Sequence, residues 1–270
     1  MPRRDSDPDF VESIARGFDV LKAFDRSRPS MSLSEVAAAA DLARPTARRI
    51  LRTLTLLGYI RASDRGFELT PRVLELGLTY VQSLGLWDVA RPHLEDLVAK
   101  THESSSVAQL DGSDIVYVAR VAVPKLIALA VHIGTRFPAV PTSLGKVLLA
   151  GLEPDDLEKA LAEPSRAGVV PRWRPERAEL DTVLREVRAQ GWALTDEQLS
   201  SGIRSVAAPV RDGSGQVLAA VNVTVHAAET SVETLREEYL PMLLGTSGRI
   251  SADFALRDAL PHTLSSPHHQ

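Results

Sequence analysis

The chain reads as an α+β protein with an N-terminal winged helix-turn-helix, a helical linker, and a C-terminal domain whose helices cover a mostly antiparallel sheet. Three observations predict this. Apolar residues recur at three- and four-residue steps through the first sixty positions and run into a short β-prone hairpin. A long stretch of helical period follows at 71–101. Beyond it, strands come in hairpins with helices grouped between them, the pattern of a segregated α+β domain rather than of alternating βαβ units.

The first element is "SIARGFDVLKAFD" (Ser13–Asp25), with apolar residues at Ile14, Phe18, Val20, Leu21 and Phe24. In "PSMSLSEVAAAA", Ser32 or Ser34 can cap a second helix, and Glu35 stands three residues after Ser32, as a capping box requires. That helix is short and rich in alanine. Asp41 interrupts it, and Pro45 suits the first turn of a third helix. From there Ala47, Ile50, Leu51, Leu54 and Leu57 share one face, and Gly58 closes the helix.

Two helices joined by about four residues, with small residues at their crossing, describe a helix-turn-helix. Asp41 occupies the turn position where glycine is usual, and Asp tolerates the left-handed conformation needed there. "YIRASDRGFELT" (Tyr59–Thr70) then reads as a hairpin around Asp64-Arg65-Gly66, completing a winged helix. The third helix leaves Arg44, Thr46, Arg48, Arg49 and Arg52 on its free face, and the wing carries Arg61 and Arg65. Arginine in that position pairs bidentately with guanine or neutralises phosphates, so double-stranded DNA is the expected partner.

Charge agrees in sign. Residues 1–80 hold 13 Lys/Arg against 11 Asp/Glu, whereas residues 81–270 hold 18 against 24, within a chain of formal net charge -4. No apolar run approaches the ~20 residues of a membrane helix, and the polar first ten residues lead into no apolar signal region, so no membrane association is expected. The absence of cysteine excludes disulfides, thiolate metal sites and a cysteine nucleophile, and leaves the cytoplasm as the default compartment.

The expected boundaries are a disordered arm at 1–10, the winged helix at 11–70, the linker at 71–86, the C-terminal domain at 87–258 and a disordered tail at 259–270. The linker region carries two apolar stripes, Val73 to Val81 and Trp87 to Val98, more than a small winged helix can cover alone. In the C-terminal domain, Ser104–Val121 reads as two strands around Asp111-Gly112, and "LIALAVHIG" (Leu126–Gly134) as another strand. Amphipathic helices follow, then a strand from "WALT", a hairpin around Asp212–Gly215, and a terminal helix over about Thr230–Leu260. In "VNVT", Asn222 and Thr224 share one strand face while the valines take the other. Thr142, Ser143 and Gly145 open a helix whose free N–H groups could meet an anion.

"FELTPRVLELG", "ALAVHIGTRFPAVPTSLGKVLLA" and "SSGIRSVAAPVRDGSGQVLAAVNVT" resemble the IclR-type transcriptional regulators, over roughly residues 10–255. "LTPRVLELG" and "TSLGKVLLA" look most like the branch that controls protocatechuate and 4-hydroxybenzoate catabolism, in the β-ketoadipate pathway. Leu144 and Lys146 stand where that branch suggests methionine and arginine.

The resemblance implies a ligand-responsive regulator that binds its operator as a homodimer or a dimer of dimers, with a GAF-like effector domain. A small aromatic or aliphatic carboxylate would sit in a cup formed by Ser143, Leu144, Gly145, Thr195, Ser205, Asn222 and Thr224, and binding would close that cup. Thr195 and Ser205 replace an aspartate and a cysteine seen in some members.

His132 and His226 fall in strands that could face the cup and donate to a carboxylate or phenol; Arg120 and Arg136 are further anion partners by charge. No histidine or carboxylate spacing suggests a metal, and no cofactor is implied. The competing readings are an enzyme on the C-terminal domain with an accessory helix-turn-helix, and a constitutive architectural DNA binder. Against the enzyme, no nucleophile elbow, P-loop, dinucleotide fingerprint or zinc motif occurs.

Overall fold

The computed structural model describes residues 8–25, 27–77, 85–124 and 131–258, and the chain divides into two compact units at residues 83 and 84. In the first unit, α1 (Glu12–Lys22), β1 (Ser30–Met31), α2 (Leu33–Ala39), α3 (Arg44–Leu56), β2 (Ile60–Ser63) and β3 (Gly66–Leu69) follow in order. Ser32 caps α2 in a full capping box: its hydroxyl accepts from the Glu35 N–H while the Glu35 carboxylate accepts from the Ser32 N–H.

Asp41 takes φ 51 directly after α2. The Leu42 N–H reaches the Ala37 carbonyl at 2.8 Å and the Asp41 N–H reaches that of Ala38 at 3.3 Å, a Schellman closure with Asp in the glycine position. Pro45 lies in the first turn of α3, and Gly58, at φ 82, follows its last turn.

Val20, Phe24, Met31, Val36, Leu51, Leu54 and Ile60 form the core of this unit. Two positions of the α1 stripe are not in it: Ile14 and Phe18 are exposed, because α1 turns only its Val20 side onto α3. The wing has a third strand that hairpin logic misses. β1 pairs with β3, placing Gly66 opposite the β1 backbone, where a Cβ would come within 2.5 Å of the Met31 carbonyl oxygen. Only glycine, here at φ 124, allows that approach. A 3₁₀ turn at Pro71–Leu74 follows, and the linker stripe beyond residue 77 lies outside the described residues as far as Leu84.

The second unit begins with α4 (Leu86–Thr101) and continues through β4 (Ser104–Asp111), β5 (Asp114–Val121), β6 (Arg136–Pro138), α5 (Ser143–Ala150), α6 (Pro154–Ala162) and α7 (Arg177–Gln190). It ends with β7 (Ala193–Asp196), β8 (Ile203–Arg211), β9 (Val217–His226), α8 (Val232–Thr234) and α9 (Leu240–Asp258). The strands form one six-stranded antiparallel sheet in the order β6-β5-β4-β9-β8-β7.

One sheet face packs against α4 and α9 through Leu94, Leu97, Leu243 and Ile250; the other packs against α5 and α7 through Leu144, Leu149, Leu180 and Leu184. The terminal helix is not uniform: Leu235–Tyr239 is a π-turn that ends two residues before Pro241. Proline lacks the N–H that the α-helical ladder needs and crowds the carbonyl four residues back, which the wider turn relieves.

The strand expected over Leu126–Gly134 falls at 126–130 outside the described residues. Its remainder, Val131–Gly134, is coil and turn, and β6 begins only at Arg136. Among the described residues, no helix is long and apolar enough to cross a membrane.

Candidate DNA-contacting face and effector cup

On α3, Ala47, Leu51 and Leu54 are buried, so the opposite face is set by helical geometry alone. At 100° per residue, Arg48, Arg52 and Arg49 spread over about 100° of that face. All three, with Arg44, are exposed, and the described residues give none of them a carboxylate partner. Thr46 is half-buried and lines a groove against α1 with Glu12, Ile14 and Arg49. On the wing the two arginines differ. Arg61 is clamped by Glu68 at 2.9 and 2.7 Å, while Arg65 occupies the exposed tip with no such clamp. Pairing with Arg61 and Ser63 holds the Glu68 carboxyl below its ordinary range.

In the second unit, β-register builds the cup. β4, β9 and β8 place Ser104, Thr224 and Ser205 side by side, and β7 adds Thr195. The neighbouring row contains Ser106 and Asn222, with Arg120 of β5 in register beside Ser106. Asn222, 2% exposed, accepts from the Ser106 N–H at 3.1 Å and donates to the Thr224 hydroxyl at 2.8 Å. Val221, Val223 and Val225 point the other way, into the α4/α9 core.

Ser143, at the start of α5, approaches the Ser205 hydroxyl at 2.7 Å, and Thr195 joins it at 3.0 Å. Ser143, Leu144, Thr195, Ser205, Asn222 and Thr224 therefore line one cavity. Tyr117, Phe137 and Leu199 supply apolar wall. The cavity volume is about 60 Å³.

Two expected members are elsewhere. Gly145 does not line the cavity: its N–H donates to the Thr142 hydroxyl at 3.0 Å, and a Cβ there would collide with the Ala139 backbone. Its glycine character serves close packing and its amide serves the cap. His132 is exposed in the turn before β6, donating its N–H to the Thr135 hydroxyl, because the chain there is not a strand. His226 does line the cup, at the end of β9. Arg136 lies outside it, tied to Asp111 and near Asp114 at 3.7 Å.

Arg120, Tyr117 and Glu103 also line the cup. Arg120 and Tyr117 are three positions apart and would alternate to opposite faces in a regular strand. The β4–β5 ladder slips between Val107 and Ala108, leaving Val118 as the extra residue, so both side chains face the cup. Arg120 donates to the Ser106 hydroxyl at 2.9 Å, and among the described residues its buried Nε has no hydrogen-bond partner. Burial lowers the Arg120 guanidinium from its ordinary range and pushes the Tyr117 phenol up to about 12.

Behind the cup, Lys146 of α5 is 3% exposed, donates to the Gln198 side chain at 2.5 Å and lies over the Trp173 ring at 4.3 Å. It thereby ties α5 to the β7–β8 loop that carries Leu199. Desolvation lowers the ammonium group to about 8. No group of three or more His, Cys, Asp or Glu residues suited to a metal occurs among the described residues.

Residues 13–64 match the IclR helix-turn-helix domain, and residues 78–252 match the C-terminal domain of bacterial IclR transcriptional regulators. The Pca regulon regulatory protein of Pseudomonas putida is 38% identical over 242 residues, covering 89% of this chain and 83% of that protein. The p-hydroxybenzoate hydroxylase transcriptional activator of Acinetobacter baylyi is 31% identical over 247 residues, covering 90% and 91%. A solved structure from Rhodococcus sp. RHA1 superposes with a TM-score of 0.79 at 48% identity, covering 92% of this chain and 100% of that one. The chain belongs to the IclR family of bacterial transcriptional regulators.

Proposed function

We propose that this protein is an effector-responsive transcriptional regulator of aromatic acid catabolism, answering to protocatechuate, 4-hydroxybenzoate or a ring-cleavage product such as β-ketoadipate. The observation that carries the reading is the cup: a buried polar floor, an aromatic wall and a buried arginine, in a chain that also bears a helix-turn-helix. Such a cavity suits a small ring with a charged end, and the names of the relatives from Pseudomonas putida and Acinetobacter baylyi support that chemistry.

On this reading Arg44, Arg48, Arg49 and Arg52 enter a major groove and Arg65 reaches the backbone from the wing. Arg61 would exchange Glu68 for phosphate. The exposed Ile14 and Phe18 of α1, with Leu74 and Leu76, support assembly as a homodimer or a dimer of dimers.

The size of the cup bears on how its wall would respond to a ligand. A cavity of ~150 Å³ holds a benzene ring, so 60 Å³ admits a hydroxybenzoate only if wall side chains move outward. On this reading the wall yields outward as the ligand enters, whether or not the cup then closes over it. The movable wall is the Leu199 loop held by Lys146, and that strain is the means by which occupancy would reach the rest of the effector domain.

The test is thermal unfolding against a panel of hydroxybenzoates and dicarboxylates, with operator release measured in parallel. A ligand at about 100 times its Kd should stabilise the protein by about 2.7 kcal/mol. No shift with any acid would refute the effector reading and leave DNA binding untouched.

A further inference from the structure

We propose that Arg120 anchors the effector's carboxylate, and that the hydroxyl cluster of Ser143, Thr195 and Ser205 at the opposite end of the cup holds a hydroxyl group. The preferred ligand is then a monocarboxylate with a hydroxyl across the ring from the acid. This deepens, and rests on, the reading of the cup as an effector site.

Arg120 is the under-satisfied charge of the cup. Among the described residues, the one hydrogen-bond partner of its guanidinium is neutral, the Ser106 hydroxyl at 2.9 Å, and Nε is buried without a partner. A buried cation with one neutral hydrogen bond bears much of its desolvation penalty uncompensated. The groups that act on its charge are its burial and the Tyr117 phenol, neither of which supplies an anion at neutral pH. Glu103 also lines the cup, is itself buried and has an interaction partner, and it is not among the groups that act on the Arg120 charge. A planar carboxylate docked on Arg120 would satisfy Nε with the bidentate geometry that guanidinium favours, and the Tyr117 hydroxyl could donate to the same group.

At the other pole the groups are neutral. Ser143, Ser205 and Thr195 form a chain of hydroxyls at 2.7 and 3.0 Å that can donate or accept, as a phenol or alcohol requires. The start of α5 adds only a partial positive charge, and Thr142 already takes the Gly145 N–H. Ser106 and Ser205 lie on strands separated by β9 and are offset by two residues along the sheet, roughly 10–12 Å apart. A para-substituted ring with a hydrogen bond at each end spans that separation.

The test is calorimetric titration of the full-length protein and its Arg120→Gln and Arg120→Lys variants with 4-hydroxybenzoate and 4-hydroxybenzamide. Wild type should favour the acid over the amide by about 10- to 150-fold, the size of a lost charged hydrogen bond. Arg120→Gln should weaken acid binding by a similar factor and erase the discrimination, with Arg120→Lys recovering part of both. Ser205→Ala should weaken 4-hydroxybenzoate but not benzoate, a readout that general unfolding would not produce.

If Arg120→Gln binds the acid within about threefold of wild type and still prefers it to the amide, the carboxylate sits elsewhere and the anchor is overturned alone. If wild type binds none of these compounds, the para-hydroxy monocarboxylate assignment is overturned, and the effector reading falls as well only if the wider acid panel is also silent.

Discussion

Replacing Lys146 with methionine should remove a pH dependence of stability without altering the fold of the effector domain. Methionine preserves the length of the stem and discards the charge. In the folded chain Lys146 titrates at about 8, against 10.5 for an unburied lysine, because desolvation disfavours the ammonium form. Below pH 8 both folded and unfolded chains hold the proton and the folded state bears the full burial penalty. Between about 8 and 10.5 the unfolded chain binds more protons than the folded one, so stability rises with pH.

The integrated effect is about 3 kcal/mol across the window, of which about 2 kcal/mol accrues by pH 9.5. At pH 7 the ammonium form bears this penalty net of its contacts with the Trp173 ring and Gln198, so Lys146→Met should be at least as stable as wild type there. Urea unfolding followed by tryptophan fluorescence isolates this domain, since Trp87, Trp173 and Trp192 all lie in the second unit. The stability of wild type relative to Lys146→Met should rise by about 2 kcal/mol from pH 7 to 9.5. A difference that stays flat over that range would refute the claim that a desolvated ammonium group sits behind the cup.

Three further outcomes follow from the geometry. Arg48→Ala with Arg49→Ala should weaken operator binding and lower the slope of log K against log salt by about 1 for each phosphate left without its arginine; unchanged anisotropy titrations would remove α3 from the groove. Gly66→Ala forces a Cβ against the Met31 carbonyl at a φ that L-residues avoid, so it should destabilise the wing by about 1–3 kcal/mol and impair DNA binding. Effector-induced thermal shifts should survive it, and their loss would contradict a defect confined to the wing. Asn222→Ala strips the acceptor from the buried Ser106 N–H and should destabilise the effector domain by about 1–3 kcal/mol in urea titrations; a stability equal to wild type would mean water or another group readily takes the amide's place.

The winged helix was legible because its signals are local. Ser32 and Glu35 are three residues apart, Asp41 sits where a left-handed turn falls, and Ala47, Leu51 and Leu54 repeat at helical spacing, so each contact lies within a turn of its partner. The alternation of Asn222 and Thr224 against three valines was legible for the same reason. Local pattern failed where a neighbour decides. Gly145 looked like an anion site and is a packing contact with Ala139, and His132 looked like a strand residue and lies in a turn.

What the sequence by itself determined is therefore the helices and hairpin of the winged helix, the arginine face of α3 and the polar stripe of β9, each specified by backbone periodicity and the chemistry of adjacent residues. What only the tertiary structure decided is how the cup that the resemblance implies is assembled. Ser106, Asn222, Ser205 and Thr195 become neighbours through strand register, and Arg120 joins them because one extra residue in β5 turns its side chain to the same face as Tyr117. Register across strands more than a hundred residues apart is set by which pairing buries the valines of β9, a property of the whole sheet that no single segment contains.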